Sequence, residues 1–333
     1  MNKIKKLFTN DYFIKEADNG KKANPWYLEL VFFVMVFSIA SLFQSVIMFI
    51  PMCYYFLEDK QFMDTFNNGP NNIVDSDYLN EIINGFPEGY NIWMLFSNIA
   101  LIAIVVVYCK YFEKRSFSSM GFHKKRGFIE YLCGYLSGLL CMSAVVVICI
   151  LTNSVNFYKI PKVSGIVIIL MFFLGYLVQG FAEEVLCRSY LMVSIAKRYG
   201  MTAGIIINSL VFAALHLMNP GITILAFVNL FAFGVLASVY MIKRKSIWAP
   251  AAFHSAWNFA QGNIFGISVS GLKKQTSIFA TDSIKEHTII NGGSFGAEGG
   301  IAVTFVFFVF ILIIFFIDYR KTNNDNQGGE INE

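Results

Sequence analysis

Charge is scarce in this sequence. Only 14% of its 333 residues are Asp, Glu, Lys or Arg, against about 25% in a soluble domain. With 56% hydrophobic residues and a mean hydropathy of +0.56, the chain has more apolar surface than one water-facing globule could hide, which excludes a soluble domain. Paired cysteines are also absent. The six (Cys53, Cys109, Cys133, Cys141, Cys149, Cys187) form no CxxC, so neither a disulfide framework nor a zinc knuckle is supported. Cys133, Cys141 and Cys149 recur every eight residues, but on a helix each such step turns by roughly 80°, so they spiral and cannot converge on one ligand. They read as small buried hydrophobes. The net charge of +4 is too modest to point to nucleic acid. The polar leader to Asn24-Pro25, followed by an apolar run too long for a signal h-region, excludes a cleavable signal.

What is present is a series of long apolar runs. A spanning helix needs about 20 mostly apolar residues. That length picks out eight segments: about 26–57 (long, with Pro51 a place to break), 91–112, 128–152, 163–196, 203–218, 222–242, 247–268 and 301–317. The fourth is too long for a simple span, and the fifth is stopped by Asn219-Pro220-Gly221. Lys and Arg mark cytoplasmic loops. With both termini inside, 19 of the 26 fall on that side, and the loop 58–90, with one Lys against seven acids, falls outside. Lys159 and Lys162 in the short outer loop 153–162 run against the pattern. The expected fold is all-α: a polytopic membrane protein of about eight transmembrane helices with cytoplasmic N- and C-termini. It divides into a cytoplasmic leader 1–25, N-terminal membrane helices 26–162, a helical core 163–268, a Gly- and Ser-rich extracytoplasmic loop 269–300, and a last helix with a polar tail expected to be disordered, 301–333. Gly134 and Gly138 form a GxxxG, read as close helix packing.

Ionisable groups inside a bilayer cost several kcal/mol each and default to functional candidates. They are concentrated here. Glu183, Glu184 and Arg188 lie in the fourth segment, Phe212 and His216 in the fifth, His254 and Asn258 in the seventh. Glu184 and Arg188 are i,i+4 and can pair on one helix face. Glu183 lies about 100° round the helix and stays available. His254 and Asn258 share a face by the same spacing, as do Phe212 and His216. If segments four and five turn at Gly200, Glu183 and His216 come level at roughly 25 Å from the turn. His254, nine residues past Lys245, rises only about 14 Å, so the depths agree only if the first hairpin protrudes about 10 Å farther.

Hydrolysis is the chemistry such a set can run. A carboxylate held away from water can serve as general base, a neighbouring His can hold the attacking water, and a second His with an Asn can donate to a tetrahedral oxyanion. The same residue types also ligate zinc, so a divalent metal such as zinc on Glu183, His216 and His254 stays open. No HExxH helix is present to support it.

Glu183-Glu184-x-x-x-Arg188, Phe212-x-x-x-His216 and His254-x-x-x-Asn258 together resemble the three motifs of the CPBP intramembrane proteases. That family includes the CAAX prenyl endopeptidases of eukaryotes and many bacterial Abi-type proteins. The resemblance covers about residues 163–268 and implies roles: Glu183 and His216 activate water, His254 and Asn258 stabilise the oxyanion, and Glu184, Arg188 and Phe212 support the site. Members are often labelled metalloproteases, although a glutamate mechanism without metal has also been argued. It further implies a multi-pass protein of a bacterial plasma membrane, acting on a membrane-associated peptide or protein in processing such as bacteriocin maturation. The alternative is a non-catalytic immunity or regulatory partner, which would tolerate loss of Glu183. A proton-relaying transporter is disfavoured by the lack of an inverted repeat. His123 and His287, in loops, are read as solvated, and the 35 Phe and 16 Tyr as lipid-facing and interfacial.

Overall fold

The computed structural model describes residues 12–18, 20–58, 63–64, 88–123, 127–160 and 165–330. The start of the leader and most of the acidic loop 58–90 lie outside the described residues. The chain is a helical membrane protein. Its main helices are α1 (Trp26–Glu58), α2 (Glu88–Phe112), α3 (Gly127–Leu151), α4 (Ile166–Tyr199), α5 (Met201–Ala214), α6 (Ile224–Arg244), α7 (Trp248–Phe259) and α8 (Ile301–Glu330). Among the described residues six are long and apolar enough to cross a membrane: α1, α2, α3, α4, α6 and the first part of α8, Ile301–Arg320. The fifth and seventh sequence segments are the two shorter helices. α5 stops at Ala214, four residues before the expected end, and gives way to turns leading to Asn219-Pro220-Gly221. α6 then restarts with the Thr223 side chain accepting from the Ala226 amide, which satisfies one of the donors orphaned at a helix start. α8 runs on to Glu330, well past the end expected near 317.

The core lies where α3, α4, α6 and α7 meet, and α1 and α8 turn broad apolar faces outward. Leu42 on α1 and Phe305 on α8 are more than half exposed, the pattern expected of lipid-facing surface. GxxxG on α3 is a packing device. A Cβ on Gly134 would overlap the Ala249 carbonyl oxygen and one on Gly138 the Phe253 carbonyl oxygen, so the two glycines let α3 touch the backbone of α7. Gly180 does the same between α4 and α7, where a Cβ would stand 2.6 Å from the Ser255 nitrogen. These contacts clamp α7, which carries His254 and Asn258, on two sides. Gly138→Ala is therefore expected to destabilise the protein by roughly 1–3 kcal/mol through overpacking. A lowered thermal midpoint in detergent would show it, and an unchanged one would contradict this packing.

Three departures from the sequence reading concern local structure. First, α4 is one continuous 34-residue helix, with a π-helical stretch, Val185–Met192, inserted directly after Glu184. Second, Arg115, counted with the cytoplasmic charges of 110–126, is only 1% exposed. Its guanidinium pairs with Glu113 at 3.0 Å and donates to the Ser189 and Tyr190 carbonyls of the π stretch, at 2.6 and 3.3 Å. A π turn leaves carbonyls without their usual helical donors, and Arg115 supplies them. Third, the loops 153–162 and 269–300 join in an antiparallel pair, Val155–Lys159 with Phe279–Ser283. All six cysteines are free thiols; Cys141 and Cys149 are buried and Cys133 is exposed.

Candidate active site

The motif residues meet on the inner faces of α4, α5 and α7. On α4 the i,i+4 pair forms as spaced: Arg188 Nη1 lies 3.0 Å from Glu184 Oε1, and both side chains are fully buried. The same Glu184 oxygen receives His254 Nδ1 from α7 at 2.9 Å. One carboxylate oxygen thus ties the π stretch of α4 to α7. The rest of the guanidinium lies over aromatic faces, with its central carbon 4.5 Å from the Phe212 ring centroid and 5.8 Å from that of Phe233. Cation–π attraction there partly replaces the acceptors that Arg188 Nε and Nη2 lack among the described residues.

Glu183 points about 100° round α4 from Glu184 and is half-buried. Its Oε2 lies 3.8 Å from His254 Nε2, and its Oε1 accepts from the Gln179 amide one turn earlier. Gln179 Oε1 in turn accepts from Asn258 Nδ2 at 2.9 Å. A continuous chain, Asn258 to Gln179 to Glu183, therefore links the two helices beside the Glu184–His254 contact, and the one imidazole of His254 faces both carboxylates. Since Glu183 and His254 touch, their depths do agree: the Gly200 hairpin extends beyond the Lys245 turn by the offset that helix rise demands.

His216 sits just past the end of α5. Its Nδ1 is 2.8 Å from the Phe212 carbonyl oxygen, an acceptor, so Nδ1 carries the proton and Nε2 is left to the interior. The Phe212 ring centroid lies 4.9 Å from this ring, tilted to it, and 6.0 Å from that of His254, edge-on, so Phe212 packs against both imidazoles.

Glu183, His216, His254 and Asn258 line one cavity of about 540 Å³. Ser41 and Gln44 of α1, Tyr90 and Asn98 of α2, and Ser270 and Glu298 of the loop before α8 complete its wall. The cavity thus lies toward the end of the bundle that carries the turns 219–223 and the segment 269–300.

Three contributors escaped the sequence reading. Gln179 carried a signal, an amide i,i+4 from Glu183 in an apolar span. Asn229 of α6 donates to the Glu298 and Gly300 carbonyls at 2.8 and 2.9 Å, and its signal was likewise a polar residue in a span. Glu298 gave none, because an acid in a Gly-rich loop is ordinary. It is nevertheless only 6% exposed. Burial pushes its carboxyl above the usual range, opposed by the Ser270 amide, His216 and Gln261. His287 is exposed, whereas His123 is half-buried and bonded to Tyr12 Oη at 3.0 Å.

The residues do not form a metal cage as they stand. Among the described residues no three His, Cys, Asp or Glu side chains come together as a ligand set. Glu183 is engaged by Gln179, and His254 and His216 each commit Nδ1 to another acceptor.

Residues 165–260 match the family model described as type II CAAX prenyl endopeptidase Rce1-like. This is the CPBP group, and the matched stretch holds α4 to α7 with every motif residue. No curated protein and no solved structure matches the chain.

Proposed function

We propose that the CPBP-type core at 165–260 makes this multi-pass membrane protein an endopeptidase of the CAAX-protease kind, one that hydrolyses a peptide bond of a membrane-associated protein or peptide. The observation that carries this reading is the meeting of Glu183, His254 and Asn258, together with His216, on one cavity inside an apolar helix bundle.

The chemistry follows from where the atoms point. Water bound between Glu183 and His216 Nε2 gives a proton to the Glu183 carboxylate as its oxygen attacks the scissile carbonyl carbon. The carbonyl oxygen becomes an oxyanion. His254 as the imidazolium, its Nδ1–H held by Glu184 and its Nε2–H turned to the oxyanion, and Asn258, through its amide, donate to it from α7. Glu183 then returns the proton to the leaving nitrogen as the C–N bond breaks. Glu184 and Arg188 stay outside the proton transfers and keep His254 in orientation. Gln179 fixes the Glu183 rotamer and reports its position to Asn258.

An oxyanion donor acts on the rate more than on binding. In nanodiscs, with a mixture of short synthetic peptides as probe, Asn258→Ala is expected to slow hydrolysis by about 10²–10³-fold. Peptide fragments counted by mass spectrometry measure this, and a rate equal to the wild type would remove Asn258 from the mechanism.

A further inference from the structure

The mechanism leaves one buried carboxylate of the cavity unused. Glu298 lies in the turn just before α8 and lines the same cavity as Glu183, His216 and His254. Both ends of the residue are fixed. Its backbone carbonyl accepts from Asn229 Nδ2 at 2.8 Å. Its side chain is held through a single oxygen: Oε2 accepts from the Ser270 amide at 2.8 Å, the Ser270 hydroxyl at 3.1 Å and Gln261 Nε2 at 3.3 Å. Gln261 belongs to the π-helical turn Ala260–Ile264 that continues α7, so Glu298 is set relative to His254 and Asn258 by the same helix. The other oxygen, Oε1, has no protein partner among the described residues.

Among the described residues no Lys or Arg lines this cavity, and its basic side chains are His216 and His254. A carboxylate kept this far from water without a fixed cation is costly. Three donors on one oxygen aim the other at the space a substrate would fill. We propose that Glu298 is a specificity determinant that receives a positively charged group of the substrate, a Lys or Arg side chain or a free α-amine, close to the scissile bond. The inference rests on the protease reading and adds a substrate class to it. A cation arriving at Oε1 completes the pairing that the protein leaves open, and it does so only when the peptide lies across Glu183 and Asn258. Neutral peptides gain nothing from Glu298 and leave its desolvation uncompensated, so discrimination comes from both terms.

The test uses the full-length protein in nanodiscs and a diverse set of short synthetic peptides, half of them N-terminally acetylated, with cleavage positions read by mass spectrometry. Wild type is expected to prefer bonds near Lys, Arg or an unblocked N-terminus by at least about tenfold, which corresponds to about 1.4 kcal/mol of differential binding. Loss of the preference in the acetylated set would assign the cation to the α-amine; its persistence would assign it to a side chain. Glu298→Gln, which keeps shape and one acceptor oxygen, is expected to erase the preference while still cleaving neutral peptides. Cleavage by wild type with no bias toward basic groups overturns the proposal alone, whether or not the variant folds. An unchanged bias in a folded Glu298→Gln does the same. Absence of any cleavage that Glu183→Gln abolishes overturns the protease reading, and this inference with it.

Discussion

Glu183→Gln is expected to lower peptide hydrolysis by at least about 10²–10⁴-fold, the contribution of a positioned general base, while leaving the protein folded. The side chain is a quarter exposed to the cavity, and its structural bonds are few: Gln179 on one oxygen and a 3.8 Å approach to His254 on the other. Gln keeps the volume and an acceptor for Gln179, so the helix pair has no reason to shift. What is lost is the carboxylate that takes the proton of an attacking water and returns it to the leaving amine. Thermal stability in detergent alongside peptide hydrolysis measures both halves. A folded Glu183→Gln protein with wild-type hydrolysis would remove Glu183 from the chemistry.

Arg188→Ala should do the reverse, acting first on the fold. Arg188 and Glu184 are fully buried, and the same Glu184 oxygen anchors His254. Deleting the guanidinium strands a carboxylate in the interior and removes the cation that Phe212 and Phe233 cover. Breaking a buried pair from one side costs about 3–5 kcal/mol, a large share of the stability of most folded proteins. The expected result is a sharp fall in folded yield. Adding Glu184→Gln to Arg188→Ala should recover part of it, because the stranded charge is gone. Hydrolysis should not recover, since His254 has lost the carboxylate that orients it. If Arg188→Ala stayed folded and active while Glu183→Ala lost expression, the roles of the two acids would be the opposite of those assigned.

The site was legible in the sequence to the extent that bilayer energetics makes polar residues informative. Glu183, Glu184, Arg188, His216, His254 and Asn258 stand out because apolar spans otherwise exclude such groups, and i,i+4 spacing separates the braced carboxylate from the available one. The structure puts Glu184 on Arg188 and leaves Glu183 facing the cavity. Helix existence was equally readable from apolar run length, because a spanning segment has a fixed minimum. The π stretch at Val185–Met192 was not readable: the donor that meets its Ser189 and Tyr190 carbonyls, Arg115, lies more than 70 residues away in sequence. The strand pair Val155–Lys159 with Phe279–Ser283 joins two loops whose composition is unremarkable. Glu298 belongs to the same class. A loop acid means little until tertiary folding brings Ser270, Gln261 and Asn229 around it.

The central claim is that Glu183 activates water for cleavage of a membrane-associated substrate. The most direct measurement compares the peptide ends present in membranes carrying the wild-type protein with those in membranes carrying Glu183→Gln at matched expression. The account predicts a defined set of new ends with the wild type that is absent with the variant, and these ends would identify the substrate. Identical sets of ends, with the protein folded and its effect on the host cell intact in the variant, would contradict the enzyme and leave a membrane partner that works by binding.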